Sequence, residues 1–278
     1  MNVPRAVRRV LARVAPAARR PLDTYVLKAP DPQNALDIFS DEWASRLPPP
    51  LDGHRAGSHP LFDDARIRWL DREVGGVAGK SALELGPLEG GHAYMLERLG
   101  AEEVVAVEGN TRAYLKCLIV KEVLGLRRVR FLCGDILEYL RREERRFDLC
   151  LASGVLYHMQ DPVELIDLLS RRCAGFLLLW THYYDPVMVR SDRRLARKFG
   201  SGREHERGGF RHTLYPYHYR DAREKPGFCG GALPTSAWMT REEILSALAH
   251  FGFADLRVGS DEPRQRNGPA FAVIARRS

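Results

Sequence analysis

The chain has 278 residues, 45% hydrophobic and 28% charged, enough to bury one sizeable core with extensions. No run of 18 apolar residues occurs, which argues against a membrane-spanning helix, and arginines interrupt every apolar stretch near the start, which argues against a secretory signal. The formal net charge is +7, but Arg5, Arg8, Arg9, Arg13, Arg19 and Arg20 lie in residues 1–22 without an acid, leaving +1 for the rest. Basicity confined to an arm disfavours nucleic acid as a partner of the body. Cys117, Cys133, Cys150, Cys173 and Cys229 form no CxxC pair, which fits a reducing cytoplasm and predicts neither a disulfide framework nor structural zinc.

In residues 1–22, Val3, Val7, Val10, Leu11 and Val14 share one helical face and Arg5, Arg8, Arg9 and Arg13 the other. Such an arm suits peripheral contact with an anionic membrane surface; a frayed terminal helix is the alternative. Residues 23–77 read as a helical extension: a short helix from Asp31 stopped by Pro48-Pro49-Pro50, a loop at Gly57–Phe62, and a helix Asp63–Val74. From residue 78, strand patterns at Ser81–Leu85, Val104–Val107, Val129–Cys133, Asp148–Ala152 and Phe176–Trp180 are interleaved with helices at His92–Leu99, Thr111–Leu124 and Pro162–Ser170. Thr240-Arg241-Glu242-Glu243 is a capping-box start for a helix to His250, and Leu256–Val258 and Phe271–Ala275 supply the last strands. This alternation predicts an α/β fold, a seven-stranded, mostly parallel Rossmann-like sheet with helices on both faces, over residues 78–278. Residues 181–237, rich in histidine and tyrosine, read as a lid-like insertion after strand five.

The chemistry starts at Leu83-Glu84-Leu85-Gly86-Pro87-Leu88-Glu89-Gly90-Gly91. A strand enters a glycine-bearing turn that lets backbone approach a ligand, with Glu84, Gly86 and Gly90 as binding residues. Leu88 stands where a middle glycine is usual. Glu108 ends the second strand, where an acid accepts from both ribose hydroxyls. Gly134-Asp135-Ile136 ends the third, where an acid can hold an adenine amino group. Ser153 begins the segment after strand four, at the ligand-binding edge of such sheets. The G-x-G-x-x-G fingerprint of NAD-binding folds is missing.

These residues resemble class I methyltransferases over 78–180 and 238–275, which implies S-adenosyl-L-methionine as the cofactor. Gly86…Gly90-Gly91-His92 and Ser153-Gly154-Val155-Leu156-Tyr157-His158 are further similar to the tRNA wobble-uridine carboxymethyltransferase family. The resemblance implies a carboxylated cofactor held partly by a tyrosine, which Tyr157 matches. The chain departs where that family has Lys-Gly-Pro-Phe and it has His59-Pro60-Leu61-Phe62.

An alcohol acceptor needs a base. His182 after strand five is the first candidate and His158 the second; His92, Tyr157 and Tyr183 are candidate substrate contacts. Glu89 could hold the cofactor amine or the substrate, or simply complement a helix N-terminus. No metal is expected, His182 and Asp185 being the ligand pair weighed. The reading is O-methylation of a small molecule or glycan in the cytoplasm, with no oligomeric state implied. The alternatives are a tRNA-modifying carboxymethyltransferase and a catalytically silent adenosylmethionine-binding regulator.

Overall fold

The computed structural model describes residues 24–278 except 226 and 266; the arginine-rich arm lies outside the described residues. In chain order the body runs α1 (Pro32–Leu36), α2 (Ala65–Glu73), β1 (Ser81–Leu85), α3 (Gly91–Arg98), β2 (Glu103–Glu108), α4 (Thr111–Val123), β3 (Val129–Cys133), α5 (Ile136–Arg142), β4 (Phe147–Ser153), α6 (Pro162–Arg172) and β5 (Cys173–His182). The insertion holds α7 (Pro186–Ser191), α8 (Arg193–Ala196), β6 (Arg203–Arg207), β7 (Phe210–His218) and β8 (Thr235–Trp238). It returns through α9 (Arg241–His250), β9 (Phe253–Glu262) and β10 (Ala270–Arg277).

The main sheet has seven strands in the order β3-β2-β1-β4-β5-β10-β9. The first five are mutually parallel and β10 runs antiparallel to both neighbours. Successive side chains of a strand face opposite ways, so a sheet covered twice needs apolar residues at both parities. Leu83, Leu85, Val105, Val107, Cys150 and Ala152 join one buried cluster with residues of α6 and α9. Ala82, Val104, Ala106, Leu149 and Leu151 join the other, with Ile67 and Leu70 of α2, Leu96 of α3 and Val120 of α4.

The expected elements are present with shifted ends. β5 extends to His182, two residues beyond the expected strand, because β10 pairs with it as far as Ala270 opposite His182. The helix α5 was not expected; it fills the short crossover between β3 and β4, and Asp135 caps it by accepting from Glu138 N at 2.8 Å. The capping box at Thr240 forms as expected. Of the helix expected from Asp31, only α1 and a 3-10 turn at Asp37–Phe39 form. Leu36, Trp43 and Leu47 are nevertheless buried against the core. The insertion forms a separate three-stranded sheet, β6-β7-β8. Among the described residues no helix is long and apolar enough to cross a membrane.

Candidate active site

Two cavities open along the carboxyl edge of β1–β4. One, about 560 Å³, is lined by Asp64, Arg66, Glu84, Gly86, Leu88, Glu89, Gly91, His92, Ser153, Trp180 and Glu262 among others. The second, about 520 Å³, is lined by Val107, Leu132, Gly134, Asp135 and Tyr139 among others. Glu108 stands between them: Val107 before it lines one, and Leu88, whose amide it accepts at 3.0 Å, lines the other. Its other oxygen accepts from Asn110 N at 2.8 Å. Burial raises its pKa, opposed by hydrogen bonds from the Asn110, Leu88 and Gly109 amides.

Glu84, one residue before the end of β1, is almost fully buried, and its Oε2 has no hydrogen-bond partner. Burial pushes its pKa up to about 7, with His92 opposing the shift. His92 bridges two acids: its Nε2 is 3.0 Å from Asp64 Oδ2 and its Nδ1 is 3.5 Å from Glu84 Oε1. Asp64 caps α2 and is also gripped bidentately by Arg66, at 3.0 and 2.5 Å. Burial alone would raise the Asp64 pKa, but hydrogen bonds from His92 and Arg66 win and hold it well below the carboxylate range. Arg66 lies over the Trp180 ring, 5.0 Å from its centroid. Asp64, Arg66 and Trp180 were not among the sequence candidates. The Asp64 cap is visible in sequence, but its partner lies 28 residues away across the fold.

Packing fixes the surroundings of several other candidates. Glu89 is not available to a cofactor amine: it pairs with Lys116 Nζ at 3.0 Å and accepts from Ala44 N and Ser45 N at 2.9 and 2.8 Å. It thereby ties the extension to the domain. Tyr183 is packed in the core against Phe271, with ring centroids 5.8 Å apart. Gly90 has a left-handed backbone, and a Cβ there would meet the Phe131 ring at 2.9 Å. Ile136 is partly buried against the core.

The remaining candidates converge. Tyr157, Trp180, His182 and Trp238 form one aromatic cluster: His182 stacks on Trp238 with centroids 5.3 Å apart and lies 4.7 Å from Tyr157 and 5.2 Å from Trp180. Trp180 also lines the larger cavity, so cluster and cavity share a wall. His182 Nδ1 donates to Gly268 O at 2.8 Å, which leaves the lone pair on Nε2. Burial lowers its pKa, partly opposed by the Gly268 and Pro269 carbonyls. His158 Nδ1 is 2.7 Å from Tyr219 Oη, and burial, then His182, pull its pKa down to about 3. β7 and β8 bring Tyr217 onto Trp238, stacked at 4.7 Å, and Tyr215 stacks on Tyr184 at 3.6 Å.

Residues 83–174 match the family described as a methyltransferase domain. The tRNA U34 carboxymethyltransferase of Methylococcus capsulatus is 30% identical over 131 residues, 44% of this chain and 40% of that protein. The chain therefore matches less than half the length of that relative. The N-terminal domain of EvdMO1, crystallised with SAH bound, superposes with a TM-score of 0.65 at 21% identity, over 88% of this chain and 95% of that one. An S-adenosylmethionine dependent methyltransferase from Mesorhizobium loti gives 0.53 at 18% identity, over 78% and 100%. These two likenesses establish the fold. Residues 83–174 thus match a methyltransferase domain, and the seven-stranded sheet built around them has the Rossmann-like fold of those two solved structures.

Proposed function

We propose that the chain transfers a methyl group from S-adenosyl-L-methionine to a hydroxyl of a small molecule or glycan, with His182 as the general base. The observation that carries this reading is the His182 imidazole, held neutral by burial, with Nδ1 tied to Gly268 O and Nε2 left basic, beside the wall shared with the larger cavity. The residues present fit the cofactor: the orphaned Glu84 Oε2 suits its ammonium group, Glu108 its ribose, and Gly134 and Asp135 its adenine side. When bound, it supplies an electrophilic methyl on a sulfonium. Arg66 and Trp180 line the cavity that would hold it, and His182 Nε2 would take the proton of an acceptor hydroxyl held against that wall. His158, with a pKa near 3, is too weak a base for this at neutral pH and serves to hold Tyr219.

Ordinary S-adenosylmethionine is favoured over a carboxylated form. The larger cavity is lined by Asp64, Glu84, Glu89 and Glu262, and its two basic groups, Arg66 and His92, are both engaged by Asp64. Asp64 is itself offset by Arg66 and His92, and Glu89 by Lys116, so the support for the ordinary cofactor is that both basic groups of the cavity are already engaged. A sugar hydroxyl as acceptor is supported by the aromatic walls and by the similarly folded EvdMO1 domain, which was crystallised in the presence of SAH and D-fucose.

Transfer of labelled methyl from S-adenosylmethionine to a panel of sugars tests the reading. His182→Ala should lower turnover by roughly 10²–10⁴ and leave S-adenosylhomocysteine affinity within about threefold. Unchanged turnover removes the base; co-purified carboxylated cofactor, detected by mass spectrometry, overturns the cofactor assignment.

A further inference from the structure

A second cluster lies away from these cavities, where the insertion meets α6. Asp161 caps α6 through Oδ1, which accepts from Val163 N and Glu164 N at 3.1 Å. The β6–β7 hairpin sets His205 opposite His212 in register, with ring centroids 5.2 Å apart. One ligand atom from each of Asp161, His205 and His212 lies within 4.8 Å of the other two.

His212 supplies a second, independent observation. Its side chain is deeply buried, at 5% exposure. Its Nδ1 faces Phe210 O at 3.2 Å, and its Nε2 is buried with no hydrogen-bond partner. With Nδ1–H donating to the carbonyl, Nε2 carries the lone pair, the form a metal requires. A buried polar atom without a partner is costly, and coordination would relieve that cost.

We propose that Asp161, His205 and His212 bind a divalent transition metal, zinc by preference, which staples the β6–β7 hairpin to the start of α6. Two imidazoles and one carboxylate suit zinc and its first-row neighbours, whereas magnesium and calcium take oxygen ligands. Three protein ligands leave a fourth, tetrahedral position for water. Arg207 is the competitor: its Nε is 2.6 Å from Asp161 Oδ2. It has an alternative partner in Glu164, whose Oε2 is 3.6 Å from Arg207 Nη2, so the metal can draw one Asp161 oxygen while the guanidinium stays paired. β7 continues from His212 to Tyr215 and Tyr217, so the staple would also steady the aromatic wall.

The test uses the untagged full chain, stripped with chelator and titrated with Co²⁺. We expect one equivalent to bind with a visible absorption band of tetrahedral cobalt, and Zn²⁺ to displace it. Zn²⁺ at about a hundredfold excess over its Kd should raise Tm by roughly 5 °C. His205 is exposed, so His205→Ala should fold and lose both the band and the Tm shift. Asp161→Asn can still cap α6, and should fold with its band lost or sharply weakened. The proposal is overturned if the wild-type chain shows no band, or if band and Tm shift are the same in His205→Ala.

Discussion

The amide of Leu88 donates to Glu108 Oε2 at 3.0 Å while Leu88 itself sits at φ 57°. The acid at the end of β2 thus props a left-handed turn residue that is not glycine, a conformation costing an L-residue about 1–2 kcal/mol. Glu108 therefore shapes the turn from its place between the two cavities. Glu108→Ala should weaken S-adenosylmethionine binding by about 1–3 kcal/mol, as buried donors lose their acceptor; unchanged affinity by calorimetry would remove Glu108 from the site. Leu88→Gly should keep stability within about 1 kcal/mol of wild type, because relief of the backbone offsets the lost side chain. A fall of about 2–5 kcal/mol, the cost of emptying a core leucine, would show that packing dominates there.

The Lys116–Glu89 pair has both side chains almost wholly buried and holds the extension, since Glu89 also accepts from the Ala44 and Ser45 amides and Lys116 Nζ also donates to Glu42 O. Lys116→Met leaves the Glu89 carboxylate uncompensated. Breaking such a pair costs about 3–5 kcal/mol, so urea denaturation should detect a large loss. The double variant Lys116→Met with Glu89→Gln should recover part of it. Equal stability of single and double variants would place the cost elsewhere.

Glu84 makes stability depend on pH in a direction opposite to most carboxylates. Its folded pKa, about 7, lies above the ordinary 4.5. Below pH 4.5 the carboxyl is protonated in both states and costs nothing. As pH rises from 4.5 to 7 the unfolded chain ionises first, and stability is lost, on the order of 3 kcal/mol in full. Glu84→Gln should therefore gain on the wild type across that window and run parallel above it. Parallel curves throughout would refute the assignment. Because a bound ammonium favours the carboxylate, cofactor binding to the wild type near pH 6 should release protons, measurable by calorimetry in buffers of different ionisation enthalpy.

His158 acts with the other sign in an overlapping window. Burial keeps its folded pKa near 3, below the ordinary 6.5, so its contribution is present above pH 6.5 and lost as pH falls towards 3. His158→Gln should be less sensitive to acid than the wild type over that range. Its turnover should fall far less than that of His182→Ala, since His158 positions Tyr219. Loss of turnover in His158→Ala but not in His182→Ala would move the base to His158.

Local pattern alone determined most of the domain. Both parities of β2 and β4 are apolar, Glu108 ends β2, Asp135 caps α5 just past β3, and the Thr240 capping box is complete within four residues. All of these are written at short range, where residue period and cap chemistry leave few alternatives. Tertiary structure decided the rest. Glu89 belongs to Lys116 and the Ala44–Ser45 backbone, Tyr183 to the core, and His92 to Asp64, each through contacts between distant segments. The insertion's aromatics find Tyr157 and Trp180 only once β8 carries Trp238 onto His182. A buried polar group takes whichever partner the packing brings to it, and the order of residues along the chain does not record that choice.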